Sequence, residues 1–184
     1  MKRIVLTFGL IAGAILAAMM FATIPFQDAI GFDRGEIIGY TTMVVAFLLI
    51  FFGVKSFRDN VAGGSVSFGR ALAVGMQIAA VAALCYTAAW QVVYYKFAPD
   101  FLTKYQAYVL EEARAEGASE AEVAKKKSEM DRYMQLYKNP LVNVGITFLE
   151  PLPVAVVIAL VSAGVLSRRR KHGMLANSPL PARP

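Results

Sequence analysis

The chain is poor in the residues that build most catalytic and metal centres. It has one cysteine, Cys85, and one histidine, His172. A lone cysteine excludes an intrachain disulfide framework and a cysteine-based zinc site. A lone histidine, beside Arg170 and Lys171, leaves no cluster for a metal or for a Ser-His-Asp arrangement. Gly63-Gly64 has neither the spacing nor the preceding strand of a phosphate loop. No cofactor is therefore expected, and the chain reads as non-enzymatic. Charge is scarce in a second way. Three long stretches hold no Asp, Glu, Lys or Arg, and a fourth holds only Glu150.

What is abundant is apolar surface. Hydrophobic residues make up 57% of the 184-residue chain and the mean hydropathy is +0.51, against roughly 45–50% apolar for soluble domains. About 20 apolar residues at 1.5 Å rise cross a hydrocarbon core of about 30 Å. Four runs qualify: about 4–24, stopped by Pro25; 37–54, the shortest; 71–95; and 141–166. Backbone polar groups find no partner in lipid outside helices. The fold class is therefore all-α, a four-helix transmembrane bundle. Residues 1–171 form one four-span membrane domain, and 172–184, with Pro179, Pro181 and Pro184, read as a disordered cytoplasmic tail. Lys2-Arg3 before an apolar stretch is similar to a signal peptide. The run exceeds the roughly 7–15 residues of a signal core, and Ala22-Thr23-Ile24-Pro25 is a poor cleavage site, so a retained span is expected.

The net charge of +6 would suggest nucleic acid in a soluble protein. The placement of the basic residues excludes that. Lys2, Arg3, Lys55, Arg58, Arg70 and the cluster Arg168 to Lys171 fall on one side of the membrane, where positive charge marks the cytoplasm. Asp28, Asp33 and Glu36 fall on the other, against Arg34. Both termini are expected inside, with 96–140 extracytoplasmic. Tyr40, Trp90, Tyr94 and Tyr95 lie near the outer ends of their spans, at headgroup level.

The 96–140 segment balances eight basic against eight acidic residues, which no nucleic-acid surface does. It predicts a helical hairpin, the outer helical segment 99–138, between spans three and four. Pro99-Asp100 opens the first helix, which runs to about Ala115. Gly117-Ala118 breaks it, and Ser119 with Glu122 forms a capping box for the second. Asn139-Pro140 stops that helix. Apolar stripes, Phe101-Tyr105-Tyr108-Val109 and Val123-Met130-Met134-Tyr137, suit packing against each other or lying on the membrane. Met130 and Met134 read as packing residues rather than a soft-metal site. Lys125 to Lys127 read as a solvated face beside Glu122, Glu129 and Asp131.

Small residues recur every four positions in three spans: Gly9, Gly13 and Ala17; Ala71, Gly75, Ala79 and Ala83; Ala155, Ala159 and Ala163. That spacing lets helices approach closely, as for packing inside the bundle. In the loop Lys55 to Arg70, Gly63-Gly64 suits a tight turn and Ser67 suits a helix cap. The candidate functional residues are Glu150 and, in that loop, Arg58, Asp59, Asn60, Gly63 and Gly64. Glu150 precedes Pro151 and Pro153, which remove backbone donors and kink helices. An acid in hydrocarbon faces the bundle or water. Gln91, Tyr94, Thr41 and Asn143 are the neighbours expected at that depth. Two readings stay open: an interfacial or structural acid, or a proton or ion site.

Taken together, the chain resembles the bacterial membrane family called domain of unknown function 4199 over about residues 1–171. The resemblance rests on Gly31-Phe32, Gly39-Tyr40, Arg58-Asp59-Asn60, Gly63-Gly64, Phe68-Gly69, Trp90, Pro99-Asp100-Phe101, Lys138-Asn139-Pro140, Thr147-Phe148, Glu150-Pro151 and Pro153. It implies an inner-membrane protein and brings no activity. The expected role is an interaction or accessory component whose partners are the lipid bilayer and a protein or a second copy, not nucleic acid. The alternative is transport of a small solute or proton by an oligomer through Glu150.

Overall fold

The computed structural model describes residues 1–167; the basic cluster Arg168 to Lys171, His172 and the expected tail lie outside them. Among the described residues there is no strand. Four helical segments are long and apolar enough to cross a membrane: Lys2–Ile30, Phe32–Asn60, Phe68–Phe97 and Pro140–Leu166.

The helices outrun the apolar stretches that predict them. Helix α1 spans Lys2–Thr23. The α-helix stops ahead of Pro25, as expected, although the chain stays helical beyond it. The missing N–H only tightens the chain into a 3₁₀ turn, Ile24–Phe26, which leads into the short α2, Gln27–Ile30. Gly31, at φ 83°, makes the break. Helix α3, Phe32–Asn60, contains the run expected to be shortest yet is 29 residues long. It continues through the polar residues on both flanks, where water can solvate side chains while the backbone stays helical. Helix α4, Phe68–Val92, passes into a π-helical turn, Val93–Phe97. Ser67 occupies its N-cap position, but its hydroxyl makes no cap bond.

Helix α5, Phe101–Ala115, and helix α6, Glu120–Tyr137, follow. Gly117 at φ 86° turns the chain between them. The capping box is formed, with the Ser119 hydroxyl accepting from the Glu122 N–H and the Glu122 carboxylate accepting from the Ser119 N–H. Asn139 caps α7, Pro140–Leu149, by accepting from Leu141 N–H, with Pro140 at its first turn. Helix α8, Leu152–Leu166, completes the fourth span. Pro151 and Pro153 cannot donate to the carbonyls of Thr147 and Leu149, so the ladder breaks at Glu150-Pro151.

α1 and α4 run side by side in the same direction, since Gly9 meets Val81 and Gly13 meets Cys85. A Cβ on Gly13 would stand 2.4 Å from that of Cys85, so only glycine permits the approach. The small-residue stripes therefore pack inside the bundle, as their spacing predicts. Gly75 of α4 admits Ala159 of α8 in the same way. Around these contacts Phe47, Ile50, Val54, Phe57, Ile78 and Ala159 are fully buried, a dry core toward the Lys55–Arg70 end.

Candidate functional site

The opposite end of the bundle is built differently. Tyr86, Trp90 and Tyr94 follow one another at four-residue spacing along α4, one side of the helix. Trp90 stacks on Tyr94 at 5.8 Å and meets the edge of Phe101 at 5.2 Å. Its indole N–H donates to the Tyr137 hydroxyl at 2.7 Å. Tyr137 in turn lies 3.1 Å from the Thr147 hydroxyl. Thr147 donates to Asn143 Oδ1 at 3.5 Å, and Gln91 donates to the same oxygen at 2.8 Å. This polar ladder ties α4, α6 and α7 together inside the protein. Among the described residues, Asn143 Nδ2 is buried without a partner. Exchanging the oxygen and nitrogen of both amides leaves the same position unpaired.

Beside the ladder is a chamber of about 540 Å³, within the range of roughly 300–1,000 Å³ that holds small organic molecules. α3 packs closely on α8 but not on α7, because the Glu150-Pro151 break separates the two parts of the fourth span. The space left by that divergence is lined mainly by α3, α4, α5 and α6, with Thr23, Ile24 and Gln27 at the end of the first span and Ile146 and Glu150 of the fourth. Eight of its nineteen lining residues are aromatic. Glu150 and Glu36 are its acids, and among the described residues that line it none is Lys, Arg or His. The Tyr86 hydroxyl lies beside the Glu150 carboxylate. Burial, and then the Glu150 charge, raises Tyr133 above the ordinary phenol value; burial, and then Glu36, does the same for Tyr105. Burial pushes Tyr137 up to about 12. These phenols therefore stay neutral and keep their O–H donors at any ordinary pH.

α5 and α6 roof the chamber with Leu102, Tyr105, Met130, Tyr133 and Tyr137. They are joined to each other by Gln106 donating to Asp131 at 2.8 Å. α5 is fastened over the α2–α3 turn. Phe32 stacks on Tyr108 at 5.1 Å and meets Tyr105 and Phe101. Lys104 reaches Asp28 at 2.7 Å and Asp100 at 3.1 Å, and the Tyr108 hydroxyl donates to Asp33. Hydrogen bonding to Lys104 holds Asp100 below the ordinary carboxylate value, and Asp28 raises Lys104. The Asp33 hydrogen bond raises Tyr108.

The sequence-predicted residues separate into two places. Glu150 stands in the chamber. Its neighbours are not the four expected: Gln91 donates to Asn143 in the ladder, and none of Gln91, Asn143, Tyr94 and Thr41 is in the lining. Tyr86, Tyr133 and Tyr137 take their place. The four-residue aromatic spacing on α4 was a signal for Tyr86; nothing in sequence pointed to Glu36 or Tyr133. The other candidates lie at the far end of α3. Arg58 Nε donates to Asp59 at 2.7 Å, and Asn60 donates to Ser56 at 3.2 Å. Gly63 and Gly64, at φ 69° and 86°, make the turn, with Gly64 N–H donating to the Arg58 carbonyl. Arg70 lies 5.1 Å over the Phe57 ring.

Residues 7–168 match the sequence profile of a family described as "Protein of unknown function (DUF4199)". No curated protein and no solved structure matches the chain.

Proposed function

The chain belongs to the DUF4199 family of proteins of unknown function, and we propose that it is a non-enzymatic accessory protein that holds a small molecule in its aromatic chamber. It is a multi-pass protein of the bacterial inner membrane, with the Lys55–Arg70 loop in the cytoplasm and the α5–α6 hairpin outside. The observation that carries the binding reading is a cavity of ligand size at the break in the fourth span, with one intramembrane acid on its wall. The dry core beneath it favours binding over passage: Phe47, Ile50 and Ile78 leave no route onward through one copy.

Native mass spectrometry of protein taken from its own membranes tests the reading. Wild type carries a small molecule that Gly39→Phe lacks, because Gly39 lines the chamber and a ring there fills it. Identical, bare spectra from both would overturn it. Reporter fusions at Gly64 and at Gly117 test the orientation. The expected signals are cytoplasmic for the first and external for the second, and the reverse pattern sinks the proposed topology.

A further inference from the structure

The chamber's charge is of one sign, and its rings add to it. Aromatic faces carry the negative part of a quadrupole and attract organic cations. Tyr40, Tyr86, Tyr105 and Tyr133 line the space together with Glu36 on α3 and Glu150 at the α7–α8 break. An anionic headgroup would meet two carboxylates there, with no basic side chain among the described lining residues. A neutral molecule would leave Glu150 with the Tyr86 hydroxyl but no opposite charge, which favours a cationic occupant beside an acid in a membrane span. Only a cation uses both features. The chamber also opens sideways, between α3 and α7, where Tyr40 and Glu150 remain exposed. Both belong to candidate membrane spans, so the mouth faces acyl chains as well as water.

We propose that the occupant is an organic ammonium on an apolar body, its primary or quaternary amine held between Glu150, Glu36 and the tyrosine rings and its tail directed through the α3–α7 opening. This rests on the binding reading above. The amine comes either from a phospholipid headgroup or from a free amphiphile.

Trp90 lines the chamber and is the chain's one tryptophan, so its fluorescence reports occupancy. The full-length protein is placed in nanodiscs of phosphatidylglycerol. Brominated-acyl phosphatidylethanolamine or brominated-acyl phosphatidylglycerol is then added at equal mole fraction, with Gly39→Phe as the filled-chamber baseline. In a second arm, octyltrimethylammonium, octyl glucoside and octyl sulfate are titrated into discs without bromine.

Stronger quenching by the ethanolamine lipid assigns the amine to a headgroup. A response to octyltrimethylammonium alone assigns it to a free amphiphile. In either case Glu150→Gln and Glu36→Gln each weaken binding by about tenfold. Glu36 is exposed near the start of α3, so its substitution leaves the packing in place. Two outcomes overturn the inference but leave the chamber a binding site: equal responses to cationic and anionic probes, or binding unchanged in both variants. Responses no larger than those of Gly39→Phe for every probe remove both readings.

Discussion

The two ends of the bundle solve the packing problem in opposite ways. Toward the Lys55–Arg70 loop, glycines and alanines bring helices into contact around fully buried Phe47, Ile50, Phe57 and Ile78. Toward α5 and α6, helices diverge at the proline break, and rings, hydroxyls and two acids line the space between them. Lipid tails are as apolar as the side chains, so burial from water does not drive the helices together; dispersion from close approach does. The closed end can therefore hold the bundle, while the open end gives up contact for a chamber. Close packing and open space are placed in different halves of one bundle.

The same kind of substitution at a glycine in each half breaks this comparison most severely. Gly13→Leu drives a side chain into Cys85 of α4 and is expected to cost roughly 3 kcal/mol. Gly39→Leu enters open space and gains helix propensity of up to about 1 kcal/mol. Thermal unfolding in detergent should lower the midpoint for the first and leave or raise it for the second. Equal losses would show that the two halves pack alike.

Next in size is Tyr137→Phe, which strips the acceptor from Trp90 and the partner from Thr147. Leaving buried polar groups unpaired costs about 1–3 kcal/mol. The Trp90 emission should shift as its hydrogen bond is lost, and an unchanged spectrum would place the ladder outside the energetics of this end.

Ser119→Ala removes a cap that is complete, and should cost α6 about 1 kcal/mol. Hydrogen exchange of the first turn of α6 should rise while that of α1 and α4 stays unchanged.

The smallest effect is the pH dependence of the α2–α5 fastening. Asp100 pairs with Lys104 across the first turn of α5 and is held below its ordinary value, so its contribution to the start of that helix is present above the unfolded carboxylate value and lost as pH falls through the folded one. Lys104 is raised, so its contribution is present below the unfolded lysine value and lost as pH rises through the folded one. The groups are exposed and screened by salt. Spin labels on α2 and α5 should report a closed distance at neutral pH that loosens in strong alkali as Lys104 loses its charge, less so at high salt. A distance independent of pH and salt assigns the closure to Phe32 and its ring neighbours instead.

How much of this was legible follows from how local each signal is. The capping box needs only Ser119 and Glu122, three residues apart, and could be read directly. The small-residue stripes announced close packing because one helix face suffices to show them. Pro25 marks the end of the α-helix but not of the helical chain, which tightens into a 3₁₀ turn and runs on to Ile30. The neighbours of Glu150 are not legible for a deeper reason: a run of residues shows neither how far along the bundle each one sits nor which way it faces. Asn143 lies seven residues before Glu150 on the same helix, about 10 Å along its axis, and Gln91 bonds to it there.

Sequence alone settled that four segments are oily enough to thread a bilayer as helices, since an unsatisfied backbone in lipid permits little else. It also settled that one acid lies in the last of them, beside prolines. Only the tertiary structure decided that α7 leaves α3, that Glu36 and Glu150 share one space, and that tyrosines from α3, α4, α5 and α6 converge there. Residues far apart in the chain meet according to how helices rotate and cross, and that is decided by side-chain contacts between elements, which no single stretch contains.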